Sequence, residues 1–175
     1  KGIFEMGYVD AFSLSDAGEL VLKAEFSKIE IENVKTIDFD VEYGKLLIGT
    51  VSNYDGSSEF SELGIKKLYD NFKLEAEYAS GTIQINHISK DIQSFELDTE
   101  FSKAEIIIEK GANLGFDTKH SFGKLKTEGS SFNFSKKIKD MSDEAYSGTI
   151  GNQPDKIKTT LKIKTNYGGC TIIAD

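Results

Sequence analysis

The sequence predicts an all-β protein in which one chain winds through stacked coils, a single-stranded β-solenoid of about seven to eight irregular coils. Two observations support this. Apolar and polar residues alternate over long stretches, which is typical of strands with one buried face. In addition, a ring-bearing residue followed by a small one returns along the chain. The ring positions are Phe26, Tyr43, Phe60, Tyr78, Phe101, His120, Tyr146 and Tyr167.

The spacing of these rings explains why the repeats should stack. Successive rings lie 17, 17, 18, 23, 19, 26 and 21 residues apart. A unit of this length cannot bury its own apolar row, so neighbouring units must cover one another. Equivalent residues would then lie about 4.8 Å apart, and we expect the rings to form a ladder inside the stack.

Each repeat is expected to consist of a strand, a tight corner at the ring and a second strand. The sequence around Tyr43 shows the pattern clearly, because Phe39 and Val41 precede the ring in alternation, and Leu46 and Ile48 follow it. Residues 1–19 precede the repeats and are expected to cap the stack. Residues 20–175 carry the coils, so that residues 1–175 form a single domain.

Some stretches fit this pattern less well. The residues "NYDGSS" before Phe60 suggest a loop, and "DMSDEA" before Tyr146 is polar. Residues 61–72, "SELGIKKLYDNF", also fit helical spacing. Because the later spacings are irregular, an antiparallel β-sandwich built from the same strands is the alternative fold.

The composition excludes several classes of partner. The 175 residues carry a net charge of −8, and all 21 basic residues are Lys. Nucleic-acid binding requires a basic face, and so does docking on an anionic bilayer. No run approaches about 18 apolar residues, so no membrane-spanning segment is expected in this chain. A first residue that is Lys rather than Met suggests a trimmed product.

No catalytic, metal-binding or cofactor-binding motif is found. The two histidines, His87 and His120, lack a nucleophile-elbow sequence nearby and are expected to be structural. No pair of His and Cys has the spacing of a metal site. Cys170 occupies a core position of its repeat and is expected to be a small buried side chain. We therefore expect no cofactor, no metal and no enzymatic activity.

Outward-facing carboxylates form the candidate ligand-binding surface. A Glu directly precedes five of the rings, and an acidic residue often stands three positions before a ring, as at Asp117 and Asp143. If the repeats stack, these residues form two adjacent rows that repel unless neutralised. Such a wall suits a cation or a cationic partner, whereas the plainer interpretation is a solvated face balanced by nearby lysines. The residues before the rings are Glu25, Glu42, Glu59, Glu77 and Glu100, and the candidate wall is Asp40, Glu42, Glu75, Glu77, Asp98 and Glu100.

Several phrases resemble a family of exported bacterial β-strand-repeat proteins, usually called the putative adhesin or putative auto-transporter adhesin head family. These phrases are "DVEYGKLLIG", "EAEYASGTIQI", "DTEFSKAEIII", "EAYSGTIGN" and "IKTNYGGCTI". The resemblance covers roughly residues 20–175. It implies a right-handed β-helix-like stack, export, and a periplasmic or cell-surface location, and it supplies no catalytic residues.

The expected function is therefore that of a non-catalytic exported module. It would bind an envelope protein or a glycan in an adhesin-like manner, or act as a scaffold. The alternative is a carbohydrate-active β-helix enzyme that acts on a polysaccharide.

Overall fold

The computed structural model describes residues 1–174 and shows an all-β chain with one short 3-10 helix at Pro154–Lys156. The all-β prediction is confirmed. Fourteen strands in these residues form one open sheet. The strands are β1 (Gly2–Gly7), β2 (Phe12–Glu25), β3 (Lys28–Glu42), β4 (Lys45–Glu59), β5 (Glu62–Glu77), β6 (Thr82–Ile88), β7 (Ser94–Glu100), β8 (Lys103–Ile108), β9 (Leu114–Ser121), β10 (Lys124–Glu128), β11 (Phe132–Lys139), β12 (Asp143–Ile150), β13 (Thr160–Asn166) and β14 (Gly169–Ala174).

The first part of the sheet consists of long parallel strands that keep a constant register. Between β3 and β4, Ile29 pairs with Leu46 and Glu42 pairs with Glu59, an offset of 17 residues throughout. The pairing of β2 with β3 has the same offset. Among the described strands, all pairings are parallel except β9 with β12 and β11 with β12. Equivalent residues of successive repeats therefore lie side by side.

Each long strand buries residues from both of its halves. In β3, Ile29 and Ile31 are buried before the middle of the strand, and Ile37, Phe39 and Val41 are buried after it. The alternation predicted from the sequence therefore identifies the core correctly.

The core also holds an aromatic stack that sequence reasoning missed. Tyr54, Phe72 and Phe95 follow one another at ring-centroid distances of 5.1 Å and 4.5 Å.

The sheet divides into two branches at β5. The first half of β5 pairs with β6, and the second half pairs with β7. One branch continues as β6, β8, β14 and β10, and the other as β7, β13, β9, β12 and β11. The two C-terminal strands thus lie between strands that precede them in the chain, which the sequence pattern did not predict.

Eight aromatic residues with positive φ, between 48° and 61°, mark the corners in residues 1–174. Their rings stack at centroid distances of 4.7–5.0 Å and nearly parallel planes. In order they are Tyr8, Phe26, Tyr43, Phe60, Tyr78, Phe101, Tyr167 and Phe122. We call this set the corner ladder.

The structure corrects the predicted ladder in two respects. His120 and Tyr146 are not corners: His120 lies inside β9, and Tyr146 lies in the antiparallel strand β12. Phe122 and Tyr8 occupy the additional corners. The ladder is also on the outer surface and not inside the stack, because its six middle rings are 40–48% exposed.

Stacking makes the unusual corner backbone tolerable. A left-handed conformation costs a bulky residue about 1–2 kcal/mol, whereas each aromatic pair contributes about 0.5–1.5 kcal/mol. Every middle ring takes part in two pairs. The corner amides also join neighbouring corners, since the Tyr43 N–H donates to the Glu59 carbonyl at 3.0 Å. Each corner is therefore stable only as part of the stack.

A small residue follows every ring of the corner ladder except Tyr8, and it fits the close approach of neighbouring corners. Ser61 Oγ accepts a hydrogen bond from the Gly44 N–H at 3.0 Å and donates to the Glu59 carbonyl at 2.7 Å. A side chain at Gly44 would collide with the carbonyl oxygen of Ser27. From Phe26 to Phe101 a serine thus alternates with a glycine or alanine after the rings, and glycine follows each of the last two rings, Tyr167 and Phe122.

The structure also places the stretches that fit the sequence pattern less well. Residues 61–72, which fitted helical spacing, belong mostly to β5, and "NYDGSS" belongs to β4 and not to a loop. The predicted cap, residues 1–19, contains β1 and the first half of β2. No helix in residues 1–174 is long and apolar enough to cross a membrane.

Substitutions at Tyr43 test the corner. Tyr43→Ala should lower the free energy of unfolding by about 1–3 kcal/mol, because it removes two ring stacks and keeps the left-handed backbone. Tyr43→Gly should be less damaging than Tyr43→Ala, since glycine adopts positive φ without strain. Urea titration measures both values.

Tyr69 is the matched control, because it is partly exposed in β5 and is not among the positive-φ residues. There the order should reverse, with Tyr69→Gly the worse variant. If the Ala and Gly variants rank in the same order of unfolding free energy at Tyr43 and at Tyr69, the proposed role of the left-handed corner is wrong.

Candidate functional site

A row of carboxylates runs directly beside the corner ladder. The strand register pairs Glu25 with Glu42, Glu42 with Glu59, Glu59 with Glu77, and Glu77 with Glu100. Because neighbouring parallel strands lie about 4.8 Å apart, the carboxylates repeat at that interval on one face. We call these five residues the glutamate row.

The glutamate row has little compensating charge. Asn166 Nδ2 donates to Glu100 Oε1 at 3.3 Å at one end of the row. No ion pair found within residues 1–174 involves any of the five glutamates. Like charges opposite one another on a sheet are destabilising, so a positively charged partner would relieve the repulsion.

The second predicted row lies next to the first and differs from it. The register places Asp40, Ser57, Glu75, Asp98 and Lys164 in succession. Lys164 Nζ donates to Asp98 Oδ2 at 2.8 Å, and this hydrogen bond raises the pKa of Lys164. Ser57 Oγ donates to Asp40 Oδ1 at 3.0 Å. This row is therefore largely compensated.

The six candidate wall residues thus lie in two adjacent rows of different character. Glu42, Glu77 and Glu100 belong to the row without ion pairs, and the other three belong to the compensated row. Asp117 and Asp143 belong to the predicted row three positions before the rings only if His120 and Tyr146 are corners, and these two residues are not corners. Asp117 pairs with Lys162 in the sheet, and Asp143 accepts a hydrogen bond from Ser121 Oγ at 2.6 Å. The candidate surface is therefore shorter than the sequence predicts.

The corner ladder and the glutamate row together form one surface, which we call the aromatic–glutamate stripe. Because the rings stack face to face, the stripe presents ring edges and covers the ring faces, so the attraction for a cation comes from the glutamates and not from the rings. The two end rings, Tyr8 and Phe122, are more open, at 78% and 60% exposed. A Lys side chain can lay its methylene stem along such apolar edges and place its ammonium group on a carboxylate. The stripe therefore suits an extended cationic partner.

The carboxylates of the stripe form a straight line and do not converge on one point. Within residues 1–174, no group of three or more His, Cys, Asp or Glu side chains is arranged to hold a metal ion.

A second polar group lies inside the protein, near the end formed by β9 and β12. Thr99, Thr165 and His120 occupy equivalent positions on β7, β13 and β9, and all three are buried. His120 Nδ1 lies 2.7 Å from Thr165 Oγ1. His120 therefore continues an inward-facing column of the core.

Burial decides the protonation of this histidine. It lowers the pKa of His120 to about 4, although the nearby Glu144 acts in the opposite direction. Glu144 itself accepts a hydrogen bond from Tyr146 Oη at 2.8 Å and pairs with Lys139 at 3.1 Å. His120 is thus a neutral structural residue at neutral pH.

The other candidate residues are placed as follows. Cys170 is buried, as predicted, and burial raises the pKa of its thiol to about 12, so that the reactive thiolate is disfavoured. His87 Nε2 lies 3.8 Å from Glu109 Oε2 in a partly exposed position.

Comparison with known proteins leaves the function open. No family model matches the chain, and no curated protein matches it. A solved structure with detectable similarity is that of a protein from Clostridium sporogenes described as a putative cell adhesion protein. It is 10% identical, the match covers 98% of this chain and 93% of that chain, and the TM-score is 0.34. A similarity of this size establishes neither a shared fold nor a shared function.

The buried histidine predicts a pH dependence of stability. In the unfolded chain His120 binds a proton near its ordinary pKa of 6.5, whereas in the folded chain it does so only near 4. The unfolded state therefore binds more protons between these values, and stability should fall by about 3 kcal/mol as pH falls through this range. Urea titrations at pH 7 and pH 4.5 measure most of this loss.

His120→Thr, which extends the Thr99–Thr165 column, should remove this part of the pH dependence. His87→Gln is the control, because it removes the other histidine at a partly exposed position outside the buried column. If His120→Thr loses as much stability between pH 7 and pH 4.5 as the wild type does, the burial of His120 is not the cause of the loss.

Proposed function

We propose that this chain is a non-catalytic, exported β-solenoid module that binds a partner at the cell envelope, in an adhesin-like manner, through the aromatic–glutamate stripe. The observation that carries the proposal is the uncompensated glutamate row beside an exposed ladder of rings. Both features follow from one repeated register.

The parallel register supports the solenoid architecture. Successive long strands are offset by one repeat, and eight corners stack in line. Eight corners correspond to about seven to eight coils. An antiparallel sandwich would require antiparallel neighbours throughout, whereas such pairs occur here at β9, β12 and β11.

The charge distribution supports a cationic partner of extended shape. A carboxylate about every 4.8 Å along one edge gives a line of negative potential. Complementary charge across an interface speeds encounter and fixes register more than it adds affinity. An envelope protein with a Lys-rich or Arg-rich segment fits this description, and the resemblance to exported adhesin-like proteins supports the envelope location.

The binding proposal is tested with a fluorescent ten-residue lysine peptide as the probe. Replacing Glu42, Glu59 and Glu77 together by Gln should weaken binding about tenfold at low salt, because the centre of the line of charge is lost. Fluorescence anisotropy at low and high ionic strength measures the change.

The matched control replaces Glu30, Glu32 and Glu105 by Gln. It changes the net charge by the same amount, but the described register does not pair these residues with the glutamate row. Glu30 pairs with Ser13 and Leu47, and Glu105 pairs with Gln84 and Thr171. We expect binding within about twofold of the wild type. Equal weakening by both triple variants would show that overall charge and not the stripe binds the probe.

Pull-down from an envelope extract and a glycan array, each with the same two triple variants, separate a protein partner from a glycan. Turnover on a panel of polysaccharides would replace the proposal with the enzymatic alternative.

A further inference from the structure

The C-terminal strands occupy a place that the order of the chain does not explain. β13 pairs with β7 on one side and with β9 on the other, and β14 lies between β8 and β10 in the same way. Strands β9 and β10 precede β13 and β14 in the chain, yet in the sheet β13 separates β9 from β7 and β14 separates β10 from β8. We call residues 160–174 the wedge and the space between β7–β8 and β9–β10 the slot.

The wedge holds the far end of the sheet in place. Among the described strands, β9 pairs with β12 and β13, and β10 pairs with β14. Among the described strands, those in residues 114–150 therefore pair only with one another and with the wedge, and the wedge connects them to the earlier part of the sheet. Its linker, residues 151–159, is mostly exposed and contains only the short 3-10 helix.

The slot selects its occupant by side-chain size and shape. Leu161 is buried between Phe95 and Phe116, and Ile163 is buried between Leu97 and Thr118. In the other branch, Cys170 and Ile172 are buried in register with the core residues Ala104 and Ile106 on the β8 side. The Tyr167 ring stacks at 4.8 Å on Phe101 and at 4.8 Å on Phe122. A side chain at Gly168 would collide with the Ser102 carbonyl. Few sequences other than the wedge meet all these demands.

Charge alone does not decide between a filled slot and a closed one, whereas unpaired strand edges favour the filled slot. Lys162 Nζ donates to Glu96 Oε1 at 2.7 Å, and the register places Lys162 beside Asp117 on its other side. If the wedge left and the slot closed, Glu96 would face Asp117 directly. Like charges opposite one another are destabilising, but the same register would bring Asp98 beside Lys119, an opposite-charge pair. An empty slot leaves edges of β7, β8, β9 and β10 unpaired, and unpaired strand edges readily take up another strand.

We propose that the wedge is exchangeable: the residue 160–174 segment of one molecule fills the slot of a second copy, which produces a strand-exchanged dimer. In the exchanged dimer the wedge makes the same contacts with the slot as it does in the closed monomer. The equilibrium between monomer and dimer therefore depends on the protein concentration and on the linker. This proposal does not depend on the binding function proposed for the aromatic–glutamate stripe.

Split cysteines in the full-length chain test the exchange. One copy carries Asp98→Cys and the other carries Lys164→Cys, two positions that pair between β7 and β13. Both copies also carry Cys170→Ala, so that only the introduced thiols react. An intermolecular disulfide at these positions forms readily only if the wedge of one copy lies in the slot of the other.

The background comes from mixing the Asp98→Cys copy with a Lys28→Cys copy, since Lys28 is an exposed residue of β3 outside the slot. Each mixture is incubated at high concentration in mild urea and returned to buffer. The yield of disulfide-linked heterodimer should be about tenfold higher for the Asp98→Cys and Lys164→Cys pair than for the Asp98→Cys and Lys28→Cys pair. Equal yields of the two heterodimers would overturn the proposal.

A chain with both Asp98→Cys and Lys164→Cys provides the second measurement. Its intramolecular disulfide should form and should abolish dimers on gel filtration, whereas the reduced chain should still form them. Failure of the disulfide to close would show that the slot geometry is wrong. Equal dimer formation by the locked and reduced chains would show that dimers arise without exchange.

Discussion

Stacking of left-handed aromatic corners is the constraint on which the rest of this structure depends. A bulky residue at positive φ is unfavourable by itself. Here it is stabilised by a ring on each side and by an amide hydrogen bond to the neighbouring corner, as at Tyr43. The corner ends one strand and begins the next, so aligning the corners aligns all residues between them.

Because the register is fixed, equivalent residues of successive repeats lie side by side and form rows across the sheet. Polar residues show this near the middle of the long strands, where Asn71 Nδ2 donates to Asn53 Oδ1 at 2.7 Å and Asn53 Nδ2 donates to Thr36 Oγ1 at 3.2 Å. In such a row each side chain satisfies the next. Within residues 1–174 the glutamate row has no ion pair, and the hydrogen bond from Asn166 reaches only Glu100 at its end, which is the physical basis for expecting an external partner.

The sequence predicted the alternation, the first corners and the two carboxylate rows, because these depend on local spacing. It placed the rings inside, since Phe26 has the same parity as the buried Ala24, and the left-handed corner reverses that parity. The sequence predicted a corner at His120 and not at Phe122, because each of these ring-bearing residues is followed by a small residue and the local pattern does not distinguish them. It could not show that Tyr167 lies between Phe101 and Phe122, since a contact between distant segments leaves no periodic signal.

Nuclear Overhauser effects between ring protons test the central claim most directly. With selectively labelled aromatic residues, the account predicts contacts from the Tyr43 ring to both Phe26 and Phe60, each 17 residues away, at centroid distances of 5.0 Å and 4.9 Å. It also predicts contacts from Tyr167 to Phe101 and Phe122. Rings that contact only residues near them in the chain would contradict the stacked corners and the surface that depends on them.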